Sequence, residues 1–239
     1  MKKYSDHIYY MEADPDTDQP FVFYIKGSRF HLQVDAGNSR DNYHKFLHEL
    51  NEEHLPQPDL LVLTHWHWDH TFGLSAADCP VIASRKTNEI LSHVQTWKWD
   101  EASMKERLRT GEDIQFTYDC MHKQYSNFND IHVRLADMAF DGTMTIDLGD
   151  ITCILEHRDS PHTRDAVFIY IPEEQVLIGG DAQYEDYYDN NSQYDKDKLQ
   201  SFIDYLTSIE FKDYMKGHDT PFIAKEELLK QLKECLSAL

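Results

Sequence analysis

Positive charge is what this chain most lacks. Its 239 residues carry 23 Lys and Arg against 43 Asp and Glu, a formal net charge of −20 at pH 7. Such a surface repels polyanions, so neither nucleic acid nor anionic lipid is expected as a partner. Long apolar runs are missing as well. None approaches the roughly 20 residues of a membrane span, and Met1-Lys2-Lys3 leads into Tyr4-Ser5-Asp6 rather than into an apolar signal core. The expectation is a cytoplasmic protein that does not meet the membrane. Paired cysteines are also absent. Cys79, Cys120, Cys153 and Cys235 form no CxxC, which argues against a thiolate zinc site or a disulfide framework. Disorder is disfavoured, because 41% hydrophobic and 13% aromatic residues can bury a sizeable core.

Short aromatic and β-branched runs at 7–12, 21–26 and 29–35, separated by the Asp/Pro-rich stretch 14–20 and by Gly27-Ser28, predict an antiparallel meander. Tyr43, Phe46, Leu47 and Leu50 fall at helical spacing, which predicts a helix over 39–54 with Ser39 or Asp41 as cap. Strands are expected at 60–64 and 81–84, followed by a helix from Lys86. Further strands are expected at 144–147, 151–156, 166–171 and 175–178, the last two joined by Pro172-Glu173-Glu174. Helices over 195–209 and 221–236 close the chain, the second with Pro221 in its first turn. Residues 96–137 show no sustained period and read as an insertion of mixed structure. Their aromatics, Trp97, Trp99 and Phe128 among them, suit a cap beside a cleft, a dimer face or extra core packing. Strands that give way to helices in each half imply one α/β domain over 1–239, with helices outside two packed sheets.

Histidine is abundant: 14 in all, three of them within His65-Trp66-His67-Trp68-Asp69-His70 at the end of the 60–64 strand. On an extended backbone residues i and i+2 point the same way, so His65 and His67 can grip one ion at roughly 2.0–2.1 Å. If the chain turns after His67, Asp69 and His70 can face a second ion, as two-metal hydrolytic sites require.

This HxHxDH after an apolar strand resembles the leading signature of the metallo-β-lactamase superfamily. Other landmarks follow in order. Ser160-Pro161-His162-Thr163-Arg164-Asp165 resembles the third motif, with Pro161 in place of the usual Gly. Leu177-Ile178-Gly179-Gly180-Asp181 resembles the fourth, Lys216-Gly217-His218-Asp219 the last, and Val34-Asp35-Ala36-Gly37 the early Asp-x-Gly. The resemblance implies a four-layer αβ/βα sandwich of two mixed β-sheets with helices on the outer faces. It also implies His65, His67 and His162 on a first ion, Asp69, His70 and His218 on a second, and Asp181 bridging them. Neutral imidazoles with carboxylates suit zinc, though iron or manganese would accept the same set. Asp35 is better placed to orient a ligand than to be one. His157, five residues before His162, is the competing candidate but lacks the following Thr.

Two such ions would generate hydroxide near pH 7 and polarise a substrate oxygen, with Asp69 orienting the nucleophile or moving its proton. The expectation is a dinuclear hydrolase acting on a small-molecule carbonyl substrate: an ester, lactone or thioester. The alternatives are a phosphodiesterase, with Arg158 or Arg164 as its only candidate phosphate clamp, and a non-catalytic metal-binding protein. The flavodiiron branch usually has Glu at His67 and an added flavodoxin domain, and zinc β-lactamases commonly have Cys at Asp181, so neither activity is expected. Tyr184, three residues past Asp181 as in acyl-homoserine lactonases, is a candidate donor to the substrate oxygen. A homodimer is an open option for assembly.

Overall fold

A computed structural model of the chain describes residues 1–188 and 192–239. Its first sheet has seven strands in sequence order: β1 Lys2–Lys3, β2 Ile8–Met11, β3 Val22–Lys26, β4 His31–Val34, β5 Leu60–Val62, β6 Val81–Ser84 and β7 Met138–Phe140. The meander β1–β4 is antiparallel, whereas β4 to β7 pair in parallel. A parallel pair needs a crossover, and helices supply each one. They are α1 Arg40–Glu52, α2 Trp68–Thr71 with the 3-10 turn Phe72–Ala76, and α3 Arg85–Val94 with α4 Glu101–Thr110 and α5 Gln115–Gln124. Ser39 caps α1 by accepting from Asn42 N.

The second sheet runs in spatial order β13-β12-β11-β10-β9-β8, from β8 Thr143–Asp147, β9 Thr152–His157, β10 Val167–Ile171, β11 Val176–Gly180, β12 Asp213–Lys216 and β13 Phe222–Ala224. Only β11 and β12 are parallel, and α6 Lys196–Ser208 connects them; α7 Lys225–Ala238 closes the chain.

Strand periodicity explains the layering. Side chains at alternate positions face opposite sides of a sheet. Phe23, Ile25, Val62 and Ile82 thus meet Val167, Ile169, Ile178 and Met215 in one core between the sheets. Their neighbours Leu61, Leu63, Val81 and Ala83 point outward under α1 and α3, and Phe168, Leu177 and Tyr214 point outward under α6 and α7. Both faces of both sheets are covered, which gives the four-layer αβ/βα sandwich.

Two local readings are corrected, and the insertion is resolved into its parts. Pro221 does not open the last helix, because Phe222–Ala224 pairs antiparallel with β12 and the helix starts at Lys225. The strand expected to reach Thr64 stops at Val62, since Asp35 Oδ1 takes the Thr64 N–H at 2.7 Å. Within 96–137 lie two regular helices, α4 and α5, each of 10 residues.

Candidate metal centre

Every sequence-predicted ligand arrives at one end of the sandwich. After β5 the chain passes His65, is extended at His67 and then coils into α2, which carries Asp69 and His70. His162 comes from the β9–β10 loop, Asp181 from the end of β11 and His218 from the end of β12. Two adjoining groups result: His65, His67 and His162, and Asp69, His70, Asp181 and His218. Donor atoms in each group lie within 4.8 Å of one another. Asp181 Oδ2 lies between them, 3.9 Å from His162 Nε2 and 3.4 Å from both His70 Nε2 and His218 Nε2. His157 takes no part; its Nε2 faces the Arg164 carbonyl at 3.2 Å.

Tautomers are fixed from behind. Asp35 Oδ2 accepts from the Thr64 hydroxyl at 2.8 Å and lies 2.8 Å from His70 Nδ1, so that nitrogen carries the proton. With its proton spent on Asp35, the Thr64 hydroxyl accepts from His65 Nδ1 at 3.0 Å. His162 Nδ1 donates to the Glu185 carbonyl at 2.7 Å. His65 and His162 therefore present a bare Nε2 to the centre, and His70 directs its Nε2 there. Asp35 does this from a left-handed backbone, φ 64°. Glycine is required at 217, where a Cβ would sit 2.1 Å from Asp181 Oδ1.

The donor set fits a metal. His65 Nε2 and Asp181 Oδ1 are buried polar atoms with no hydrogen-bond partner, a costly arrangement unless something binds there. The electrostatics divide the two groups. Burial pushes His65, His67 and His162 below the ordinary imidazole value, which leaves them neutral. Burial also opposes charge on His70 and His218. Asp69 and Asp181 outweigh it, with Asp35 adding to the pull on His70, and hold both protonated. Those same histidines keep the two carboxyls well below the usual range despite their burial.

A cavity of about 670 Å³ opens onto the clusters, with His67, Asp69, His162, Asp181 and His218 at its floor. Tyr184 reaches its wall, but the hydroxyl donates to Asp219 Oδ2 at 2.5 Å. Two residues escaped the sequence reading, and one of its options for the insertion, a place beside the cleft, holds for its middle. Asp18, from the stretch read only as a turn, faces the site and is pushed up to about 8 by burial, with Asp69 and Asp181 adding to the shift. Tyr188 packs 4.9 Å from the His67 ring. Ile114, Gln115, Phe116 and Thr117 of the insertion line the cavity. An Asp-Pro-Asp-Thr-Asp run signals only a turn, and nothing local says which carboxylate points inward.

Comparison with known proteins agrees with this fold. A family model described as the metallo-beta-lactamase superfamily matches residues 15–78. A metallo-beta-lactamase from Pontibacter korlensis superposes with a TM-score of 0.67 at 16% identity, covering 100% of this chain and 98% of that one. A metallo-beta-lactamase family protein from Thermus thermophilus gives 0.69 at 18%, covering 99% and 81%. The DIM-1 metallo-beta-lactamase gives 0.63 at 16%, covering 99% and 96%. The fold is that of the metallo-β-lactamases, and the comparisons support this superfamily.

Proposed function

We propose that this chain is a dinuclear metal-dependent hydrolase, with zinc as the expected ion, acting on a small-molecule ester, lactone or thioester. The observation that carries this reading is the pair of adjoining donor groups beneath one cavity, with His65 Nε2 and Asp181 Oδ1 buried and unpartnered. Divalent ions bound there would lower the pKa of a shared water toward neutrality and polarise the substrate oxygen.

The chain's own groups do the rest. His65, His67 and His162 would hold one ion, Asp69, His70 and His218 the other, and Asp181, placed between the groups, would bridge them. Asp69, whose Oδ2 stays within 3.0 Å of His70 and 3.1 Å of His218, is positioned to orient an attacking water and accept its proton. Trp68 and the aromatic wall give the approach to the clusters a largely apolar lining. No Lys or Arg lines the cavity among the described residues, which favours a carbonyl over a phosphate. Of the sequence's two candidate clamps, Arg158 is paired with Glu156 at 2.8 Å and stacked on Tyr205, whereas Arg164 lines, with Lys86, a separate cavity of about 280 Å³ that also touches His67 and His162.

The test is a panel of ester, lactone, thioester, β-lactam and phosphodiester substrates on protein of known metal content. Turnover of a carbonyl substrate that tracks loading to about two ions per chain is expected. Turnover of phosphodiesters alone, or a reproducible maximum of one ion, would overturn the reading.

A further inference from the structure

Tyr184 can donate one proton, and two acceptors can compete for it. Its ring lines the cavity 6.3 Å from the His162 ring, and its backbone N–H donates to the Asp181 carbonyl at 2.9 Å. Burial raises the phenol far above its ordinary value, with Asp181 and Asp219 adding to the rise, so the hydroxyl stays protonated across the ordinary pH range. At rest that proton goes to Asp219 Oδ2 at 2.5 Å. Asp219 is held in turn. Lys216 Nζ lies 3.6 Å from the same oxygen and 6.0 Å from the Tyr184 ring, on a side chain that is mostly buried. The three side chains arrive from the loop after β11 and from the end of β12, strands paired in parallel through Gly180 and Lys216. Gly217 N donating to the Gly180 carbonyl at 2.9 Å ties the two loops together.

A carboxylate holds a donor roughly twice as strongly as a neutral acceptor does. The carbonyl oxygen of a bound substrate is neutral, so it cannot draw the Tyr184 hydroxyl away from Asp219. An oxyanion developing at the His/Asp clusters can. It carries the same charge as Asp219 and forms among buried groups, whereas the Asp219 side chain is 64% exposed and water weakens its bond. The exchange moves a hydrogen bond, and the proton stays on the phenol. The contact with Tyr184 is thereby confined to the transition state, where it raises kcat instead of tightening ground-state binding.

We infer that Asp219, steadied by Lys216, withholds the Tyr184 hydroxyl from ground-state substrate and yields it to the oxyanion of the reaction, an assignment that rests on the hydrolase reading for the reaction itself. Asp219 is thus a positioning residue that acts through Tyr184. Asp219→Asn keeps an acceptor but removes its charge, and Asn tolerates the φ of 65° at this position. With a neutral ester, the variant should lower KM about three- to tenfold and raise kcat/KM, because the loosened hydroxyl now also meets the ground-state carbonyl. Both changes should vanish in the Tyr184→Phe background at equal metal content. A merely structural Asp219 would affect the two backgrounds alike, and that result, or an unchanged KM in the single variant, would overturn the inference. A second readout needs no turnover. In metal-loaded protein carrying 3-fluorotyrosine, the Tyr184 fluorine resonance, assigned by its loss in Tyr184→Phe, is followed while acetate or acetamide is added. Acetate should move it in the wild type and in Asp219→Asn, whereas acetamide should move it only in Asp219→Asn. Acetamide moving it in both proteins, or in neither, would overturn the inference. Failure to turn over any ester, lactone or thioester would remove the hydrolase reading, and the resonance would then decide by itself whether Asp219 holds the hydroxyl back from neutral carbonyls.

Discussion

His70 can offer Nε2 to an ion only while Nδ1 carries its proton, and Asp35 is the group that keeps it there, at 2.8 Å. Asp35→Asn is well suited to isolate this effect. Asn also accepts φ 64°, but its amide would place N–H donors against the donors of Thr64 or His70. Rotating to spare Thr64 N would turn the amide nitrogen toward His70 and drive the imidazole to the wrong tautomer. Metal affinity, measured by competition with a chromogenic chelator, should fall about 10- to 100-fold with the fold intact. Tyr184 makes a weaker case. Its hydroxyl proton is held by Asp219 at rest, so service to a substrate oxygen requires leaving that partner. Tyr184→Phe should lower kcat and kcat/KM together by about tenfold without metal loss, and unchanged kinetics would remove it from the mechanism. Both residues show what was legible at this scale. The family resemblance names all seven candidate ligands, and the fold brings them together at one end of the sandwich. The resemblance is silent on Asp18 and on the partner of Tyr184, which are set by contacts distant in sequence.

At the scale of elements, the insertion divides its labour in a way its composition does not announce. Trp97 and Trp99 enclose the Arg107 guanidinium at 4.5 and 4.8 Å, and Trp99 packs 5.3 Å from Phe72, just beyond α2. They belong to the cluster that buttresses Trp68 and Phe72. Phe116, at the start of α5, is 56% exposed and lines the cavity. The aromatic content of 96–137 thus serves packing at one end and the cleft at the other. Trp99→Ala should destabilise the protein by about 1–3 kcal/mol, read from denaturant unfolding, because it opens a packed aromatic cluster. Phe116→Ala should leave the midpoint nearly unmoved and shift KM. Reversed effects would exchange the two roles. The same scale explains the misread terminus. Pro221-Phe222-Ile223 carries a helix-start signal, yet the open edge of β12 recruits 222–224 as a strand first, and tertiary pairing overrides a local cue.

Over the whole molecule, the candidate ligands come from both halves of the sandwich: His65, His67, Asp69 and His70 follow a strand of the first sheet, and His162, Asp181 and His218 come from the second. The halves already share a core and direct ties such as Val167 N donating to the Thr64 carbonyl at 2.7 Å. Ions bound across them would act as additional cross-links that exist only in the folded state. Free ion at 100 times its Kd adds about 2.7 kcal/mol per site, and for a chain of this size about 2–4 °C in Tm accompanies each kcal/mol. Chelation should therefore lower Tm by roughly 5–10 °C per ion removed. The size of that step depends on pH in a definite direction. His70 and His218, raised by Asp69 and Asp181 against their burial, contribute stability to the metal-free protein that is complete below the ordinary histidine value and fades as pH rises through their folded values. An ion must displace those protons, so loading of the Asp69, His70 and His218 group strengthens as pH rises. His65, His67 and His162, already held neutral, impose no such cost. Calorimetric scans with and without metal at pH 6 and pH 8 should show the larger metal-induced rise at pH 8. On acidification, the first ion lost should be the one among the carboxylates, leaving a protein with one ion on the three neutral imidazoles. Equal increments at the two pH values, or loss of both ions together, would show that the two groups do not titrate as their surroundings dictate.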